Sequence, residues 1–267
     1  MDTQEVGVWQ RREKLAGKLS FVAGVLPSAR PFASNIFQLA GRMHKARHRH
    51  TLSAGVKSDI AAWLKYIRAW NGKKSWVRAA PQLELCSDAS VSGWGAWVVT
   101  ASPGVREAFR GVGLDVGACW AGTWSAEDRA LINSHRQIAW GELFAAAFAL
   151  QQVARAVGNV TVKFWIDNSG DVFSINRQRV KAQYPELRLL MQDFFLEATL
   201  ANIRPVAQHL SGEDNDLSDY LSRPEKQPEG LDLGVLRAAF PQFHLTSLVC
   251  VDSGAFARAR LWRSSRA

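Results

Sequence analysis

Cysteine is scarce in this chain of 267 residues: Cys86, Cys119 and Cys250 are widely spaced and odd in number. Such a set builds neither a disulfide framework nor a zinc site, and it suggests a reduced, intracellular setting, cytoplasmic or nuclear. Long hydrophobic runs are lacking too. No stretch reaches the ~18 apolar residues of a membrane span, and the opening MDTQEVGVWQRREK lacks the apolar middle of a signal peptide. There is no internal repeat and no low-complexity segment. Acids are sparse in the first third: residues 1–80 hold four Asp/Glu against fifteen Lys/Arg, whereas residues 81–267 hold 20 and 18. The net charge of +9 therefore resides in the first third. A basic segment beside a near-neutral one suggests a polyanionic partner, nucleic acid first among them, or else a merely solvated basic surface.

With 47% hydrophobic residues the chain supports a real core. Periodicity divides it near residue 80. Before that point the apolar residues recur at helical spacing. Leu15, Leu19, Val22 and Leu26 mark one helix, which Pro27 stops. Phe32, Ile36, Leu39 and Met43 mark a second, which ends in the basic run Arg42, Lys45, Arg47 and Arg49. Ile60, Trp63, Leu64, Ile67 and Trp70 mark the apolar face of a third. After residue 80 the period changes. LELCSDAS and GWGAWVVT read as two strands joined by a short turn, ACWAGTW as a third, VTVKFWIDN as a fourth and NIRPVAQHL as a fifth. IAWGELFAAAFALQQVARAV and YPELRLLMQDFFLEATLA read as helices. The order predicts an α/β domain, a mixed sheet with helices packed on it.

The acids of this second part stand where an unpaired charge is costly. Asp88 follows the first strand, and Asp167 ends the fourth. Glu142 lies inside a helix whose same-face neighbours are Ala145, Ala146 and Ala149. A small-residue face suits close packing on a sheet, so Glu142 is expected to point at the sheet rather than at water. HLSGEDNDLSDYLSR, residues 209–223, adds Glu213, Asp214, Asp216 and Asp219. Each acid singly reads as a strand-end turn or a helix cap. Jointly, several carboxylates at element ends facing one sheet edge make a hard-oxygen site of the kind Mg²⁺ takes.

CSDASVSGWGAWV, IAWGELFAAAFAL, FWIDNSGDVFSI and HLSGEDNDLSDYLSR together resemble the four blocks of type 1 ribonuclease H, above all the version fused to reverse transcriptases of retrotransposons and pararetroviruses. The most specific piece runs from Asn215 to Arg223, Asn-x-x-x-Asp-x-Leu-Ser-Arg. The resemblance covers about residues 81–223 and implies a ribonuclease H-like mixed five-stranded sheet. It implies that Asp88, Glu142 and Asp167 are the core metal-binding carboxylates and Asp219 the fourth, leaving Glu213, Asp214 and Asp216 to the helix start. It also implies that His209 is a loop histidine assisting water attack or product release, and that Asn168 and Asn215 contact nucleic acid. The cofactor implied is a pair of Mg²⁺ ions, with Mn²⁺ as a substitute. The substrate implied is an RNA–DNA hybrid, whose RNA strand is hydrolysed.

Residues 1–80 resemble the thumb and connection helices of the same polymerases, and Arg42, Lys45, Arg47 and Arg49 are then the phosphate-binding group. A polymerase half of a reverse transcriptase is the partner this implies, because the chain has no adjacent aspartate pair. The expected organisation is a basic helical segment over 1–80, a ribonuclease H-like domain over 81–224 and a tail of unknown role over 225–267. Two related chemistries fit less well. Proofreading exonucleases want Asp-x-Glu where this chain has Asp88-Ala89-Ser90, and integrases end on Glu where it has Asp219. The non-enzymatic alternative is an inactive mobile-element remnant or a domesticated nucleic-acid binder.

Overall fold

The computed structural model describes residues 14–24, 26, 29–42, 51–70, 79–135, 138–180, 184–227 and 230–251. In chain order the helices are α1 (14–24), α2 (Ser34–Arg42), α3 (Ala54–Ala69), α4 (Pro103–Arg110), α5 (Ala126–His135), α6 (Ile138–Ala154), α7 (Ser169–Arg177), α8 (Pro185–Leu200), α9 (Asp216–Ser222) and α10 (Leu233–Ala239). The strands are β1 (Leu83–Ala89), β2 (Gly93–Ala101), β3 (Ala118–Thr123), β4 (Thr161–Ile166), β5 (Arg204–His209) and β6 (Ser247–Val251). None of the described helices is long and apolar enough to cross a membrane.

The chain divides into two units. The first comprises Met1–Arg78 together with Gln178–Leu200, so α8 groups with the N-terminal helices and not with the sheet. A buried polar centre explains the grouping. Asp59 of α3 is fully buried. It accepts hydrogen bonds from the Asn35 backbone (2.7 Å), the Asn35 amide (2.9 Å) and Gln192 Nε2 of α8 (3.0 Å). Gln192 Nε2 also donates to the carbonyl of Pro31 at 2.9 Å. Burial raises the Asp59 pKa, and the Asn35 and Gln192 bonds work against that rise. With Asp59 inside, the buried stripe of α3 is Val56, Trp63 and Tyr66, while Leu64 and Ile67 are 51% and 48% exposed. The expected stripe through Leu64 and Ile67 is thus turned around the helix: satisfied hydrogen bonds override the apolar periodicity.

The second unit carries the sheet, in the order β5-β4-β1-β2-β3-β6. Strands β1, β2 and β3 pair antiparallel, while β1 with β4, β4 with β5 and β3 with β6 pair parallel. The β1–β2 hairpin closes through Ser90, whose Oγ accepts from the backbone of Ser92 and Gly93. The parallel pairing of β1 with β4 needs a crossover, and it contains α6. This is the mixed α/β sheet with flanking helices that the order of periodicities predicts. It has six strands where five were expected. The sixth, β6, comes from the tail and adds to the free edge of β3. Gly117, at φ +82°, makes that junction, because a side chain there would run into the His244 carbonyl.

Alternation along β2 puts a different layer on each face. Trp94 packs on Phe144 and Phe148 of α6. Trp97 packs on Phe243 beyond α10 and joins Leu217, Leu221, Leu236 and Phe240 in one buried cluster. Gly95 lies between these aromatics in sequence and on the Trp97 side. A Cβ there would collide with Leu221 of α9. The GWG of β2 is therefore what lets α9 lie directly on the sheet. Gly95→Val should lower stability by about 1–3 kcal/mol, the usual cost of overpacking, read as a lower midpoint in urea unfolding. An unchanged midpoint would mean that α9 does not rest on β2.

Candidate metal centre

Asp88, Glu142 and Asp167 converge on one place. Each offers a carboxylate oxygen within 4.8 Å of the others. Three different elements bring them there. Asp88 is the penultimate residue of β1, paired in register with Gly95. Asp167 immediately follows β4, the parallel neighbour of β1. Glu142 comes from α6, which approaches β1 closely at Gly141: a Cβ there would meet Ala89 at 3.1 Å and Trp124 at 3.2 Å. The small face expected of α6 is real, with Ala145, Ala146 and Ala149 all buried beside Glu142.

The site is strongly electronegative. Glu142 and Asp88 are 5% and 4% exposed. Glu142 Oε2 and Asp167 Oδ1 are buried without a hydrogen-bond partner among the described residues. Burial pushes the Glu142 carboxyl up to about 11, with further repulsion from Asp167 and Asp88. Burial likewise pushes Asp88 up to about 6. The Ser222 hydroxyl works against that rise, while Asp167 and Asp219 add to it. Orphaned buried oxygens on two of three mutually repelling carboxylates are what a divalent cation satisfies. All three donors are hard oxygens. Cys86, the nearest thiol in sequence, is held as a thiol: burial pushes it up to about 12, and its Sγ donates to Asn215 Oδ1 at 3.0 Å. The residues present therefore fit Mg²⁺ or Mn²⁺ better than a softer metal.

Asp219 stands apart from this trio. Its Oδ1 accepts from Arg223 Nε at 2.6 Å and its Oδ2 from Lys226 Nζ at 2.8 Å. Burial acts to raise its pKa, but Lys226 and Arg223 outweigh that and hold the carboxyl below its ordinary value. Ser222, not singled out from the sequence, connects the two regions. Its Oγ lies 2.7 Å from Asp88 Oδ2 and 2.9 Å from the Asp219 carbonyl, and either can accept its proton. Ser90 Oγ in turn donates to the Ser222 carbonyl at 2.6 Å. The Ser of the Leu-Ser-Arg ending was the available signal, but a short polar residue at a helix end also reads as a cap.

His209 is exposed, the last residue of β5, in register with Ile166 and so beside the strand end that carries Asp167. Asn168 caps α7: its Oδ1 accepts from the backbone of Gly170 at 2.9 Å and of Asp171 at 3.3 Å. Asn215 is 3% exposed and tied to Cys86, which places it in the seam between β1 and α9 rather than on a surface. Arg42 ends α2, while Lys45, Arg47 and Arg49 lie outside the described residues.

No protein-family profile matches the chain, and no curated protein does. Among solved structures it is similar to RNase H1 from the halophilic archaeon Halobacterium salinarum NRC-1, at 14% identity and a TM-score of 0.39, over 54% of this chain and 97% of that one. It is also similar to the N-terminal RNase H domain of a Mycobacterium tuberculosis protein, fused to maltose binding protein. There the identity is 14% and the TM-score 0.38, over 55% of this chain and 99% of the other. At these scores the likeness adds nothing to the geometry above.

Proposed function

We propose that this chain is a metal-dependent endonuclease of the ribonuclease H type, which hydrolyses the RNA strand of RNA–DNA hybrids. The observation that carries the reading is the meeting of Asp88, Glu142 and Asp167 at the ends of two parallel strands and one tightly docked helix. These three carboxylates would hold the cations. Two Mg²⁺ ions, or Mn²⁺ in their place, would activate a water and stabilise the leaving oxygen of the phosphodiester. The protein's own part is to hold three charges against their repulsion and to fix their orientation. Ser222 fixes Asp88, as groups behind metal ligands commonly do. Asp219, ion-paired with Arg223 and Lys226, would order the rim of the site, and exposed His209 would assist water attack or product release. The RNA strand would be told from DNA by its 2′-hydroxyls.

The basic first third would hold backbone phosphates, as the thumb and connection segment of a retroelement reverse transcriptase whose polymerase half lies elsewhere. Replacing Arg42, Lys45, Arg47 and Arg49 by alanine should weaken hybrid binding and flatten its salt dependence, by about 0.9 units of log–log slope for each phosphate no longer neutralised. A salt titration of hybrid binding measures this, and an unchanged slope would make those residues a solvated face.

The direct test is a strand-labelled RNA–DNA hybrid incubated with the purified chain and Mg²⁺. Cleavage of the RNA strand alone is expected, with single-stranded RNA and duplex DNA left intact. Tight hybrid binding with no cleavage in either Mg²⁺ or Mn²⁺ would instead make the chain a nucleic-acid binder.

A further inference from the structure

A further acid, and a buried one, stands beside the trio. Asp171 lies in the first turn of α7 and is 1% exposed. Among the described residues its Oδ2 has no hydrogen-bond partner. Its charge is close enough to Asp167 and Glu142 for mutual repulsion to be felt at both Asp171 and Glu142. An acid in a first turn has an ordinary explanation, the positive end of the helix dipole. That explanation serves exposed acids, which keep their water. It does not account for a carboxylate that is stripped of water, four residues after Asp167, on a helix packed against α6. Nor is Asp171 needed as a cap, because Asn168 Oδ1 already accepts from the Gly170 and Asp171 amides. Burying a carboxylate without a partner costs several kcal/mol, and the fold keeps the cost only where something compensates it.

The charges indicate what compensates it. Asp219, the acid that the sequence pattern marks as fourth, is neutralised by Arg223 and Lys226 at 2.6 and 2.8 Å. Among the described residues Asp171 has no such ion pair. Asp88, Glu142, Asp167 and Asp171 together carry four negative charges when ionised, which two divalent cations balance. We propose that Asp171 is a further carboxylate of the cation site and serves the second of two divalent ions. The proposal rests on reading the trio as a cation site. Asp171 lies outside the group whose oxygens fall within 4.8 Å of one another. It therefore holds its ion from the flank of the trio, directly or through one of the waters that Mg²⁺ retains.

The test uses the full-length chain and the metal alone. Mn²⁺ binding is followed by calorimetry, beside thermal unfolding in metal-free buffer, for the parent, Asp171→Asn, Asp171→Ser and Asp167→Asn. The parent should bind two ions. Asp171→Asn should lose one, or bind the weaker one about ten-fold or more less tightly, while its metal-free midpoint at pH 9 rises because a buried charge is gone. Asp171→Ser, smaller but also uncharged, should show the same loss of binding and guards against an Asn variant that folds poorly. If the parent takes one ion, or if both Asp171 variants keep two with the parent's affinities, Asp171 is a buried helix acid and nothing more. If Asp167→Asn also binds like the parent, the trio is not a cation site, and the proposed function fails with it.

Discussion

Asp167→Asn should leave the hybrid bound and the RNA strand uncut. The substitution keeps the size of the side chain and most of its hydrogen bonding but removes one charge from the trio of Asp88, Glu142 and Asp167. Cation affinity and activation of a nucleophile both depend on that charge. Removing one well-placed electrostatic group from an active site costs on the order of 10²–10³ in rate, and losing a cation ligand belongs at the upper end. Hybrid affinity draws instead on the pairing of basic residues with phosphates, which the substitution does not touch. Single-turnover cleavage beside an equilibrium binding titration separates the two. A variant that cleaves like the parent would overturn the metal-dependent reading. A variant that neither cleaves nor binds would place Asp167 in the substrate interface instead.

The parts of this protein that were legible in the sequence are those where one periodicity governs. Strand β2 reads as a continuous apolar run because both its faces are covered, and Trp94 and Trp97, three apart, fall one on each face. Helix α6 announces a buried acid because Glu142 shares its face with three alanines. Illegible parts are those where a polar group overrides the pattern or a partner lies far along the chain. Nothing in VKSDIAAWLKY marks Asp59 as interior; only its bonds to Asn35 and Gln192 do. Helix α8 has an ordinary amphipathic sequence, and Gln192 at its centre is what joins it to the N-terminal helices. Strand β6 is five residues long, and its role depends on the free edge of β3.

The site shows the same division. Its three central acids were readable because each is anomalous in its element. Asp171 looks like any acid in a first helical turn, and its burial is a property of the packing around α7. Asn168 was readable as a polar residue beside Asp167, but its capping bonds appear only once α7 is in place. The pairing of Asp219 with Lys226 reaches beyond the motif that ends at Arg223.

In metal-free buffer the protein should lose stability as pH rises from about 5 to 9, and Mg²⁺ should restore it. The sign follows from the carboxyls. Glu142, Asp171 and Asp88 are raised from ordinary values of 4.5, 3.8 and 3.8 to about 11, 8 and 6, burial being the first cause in each. A group whose pKa is higher in the folded state binds its proton more tightly there than in the unfolded chain. Its stabilising effect is complete below the unfolded value, near 4, and is lost as pH climbs toward the folded one. Asp88 contributes its loss up to about pH 6 and Asp171 up to about pH 8, while Glu142 continues through the alkaline range. All three ionisations act in the same direction, each over its own window. A cation that binds only the folded state opposes this by about 2.7 kcal/mol at a hundred times its dissociation constant. It gains most at high pH, where the carboxylates it replaces protons on are ionised. Glu142→Gln should flatten the metal-free profile, because glutamine presents the same buried shape with nothing to ionise. Thermal unfolding midpoints across pH, with and without Mg²⁺, measure all three effects. A metal-free profile that is flat or rising between pH 5 and 9 would mean that water reaches these carboxyls, and the closed, cation-dependent site would have to be given up.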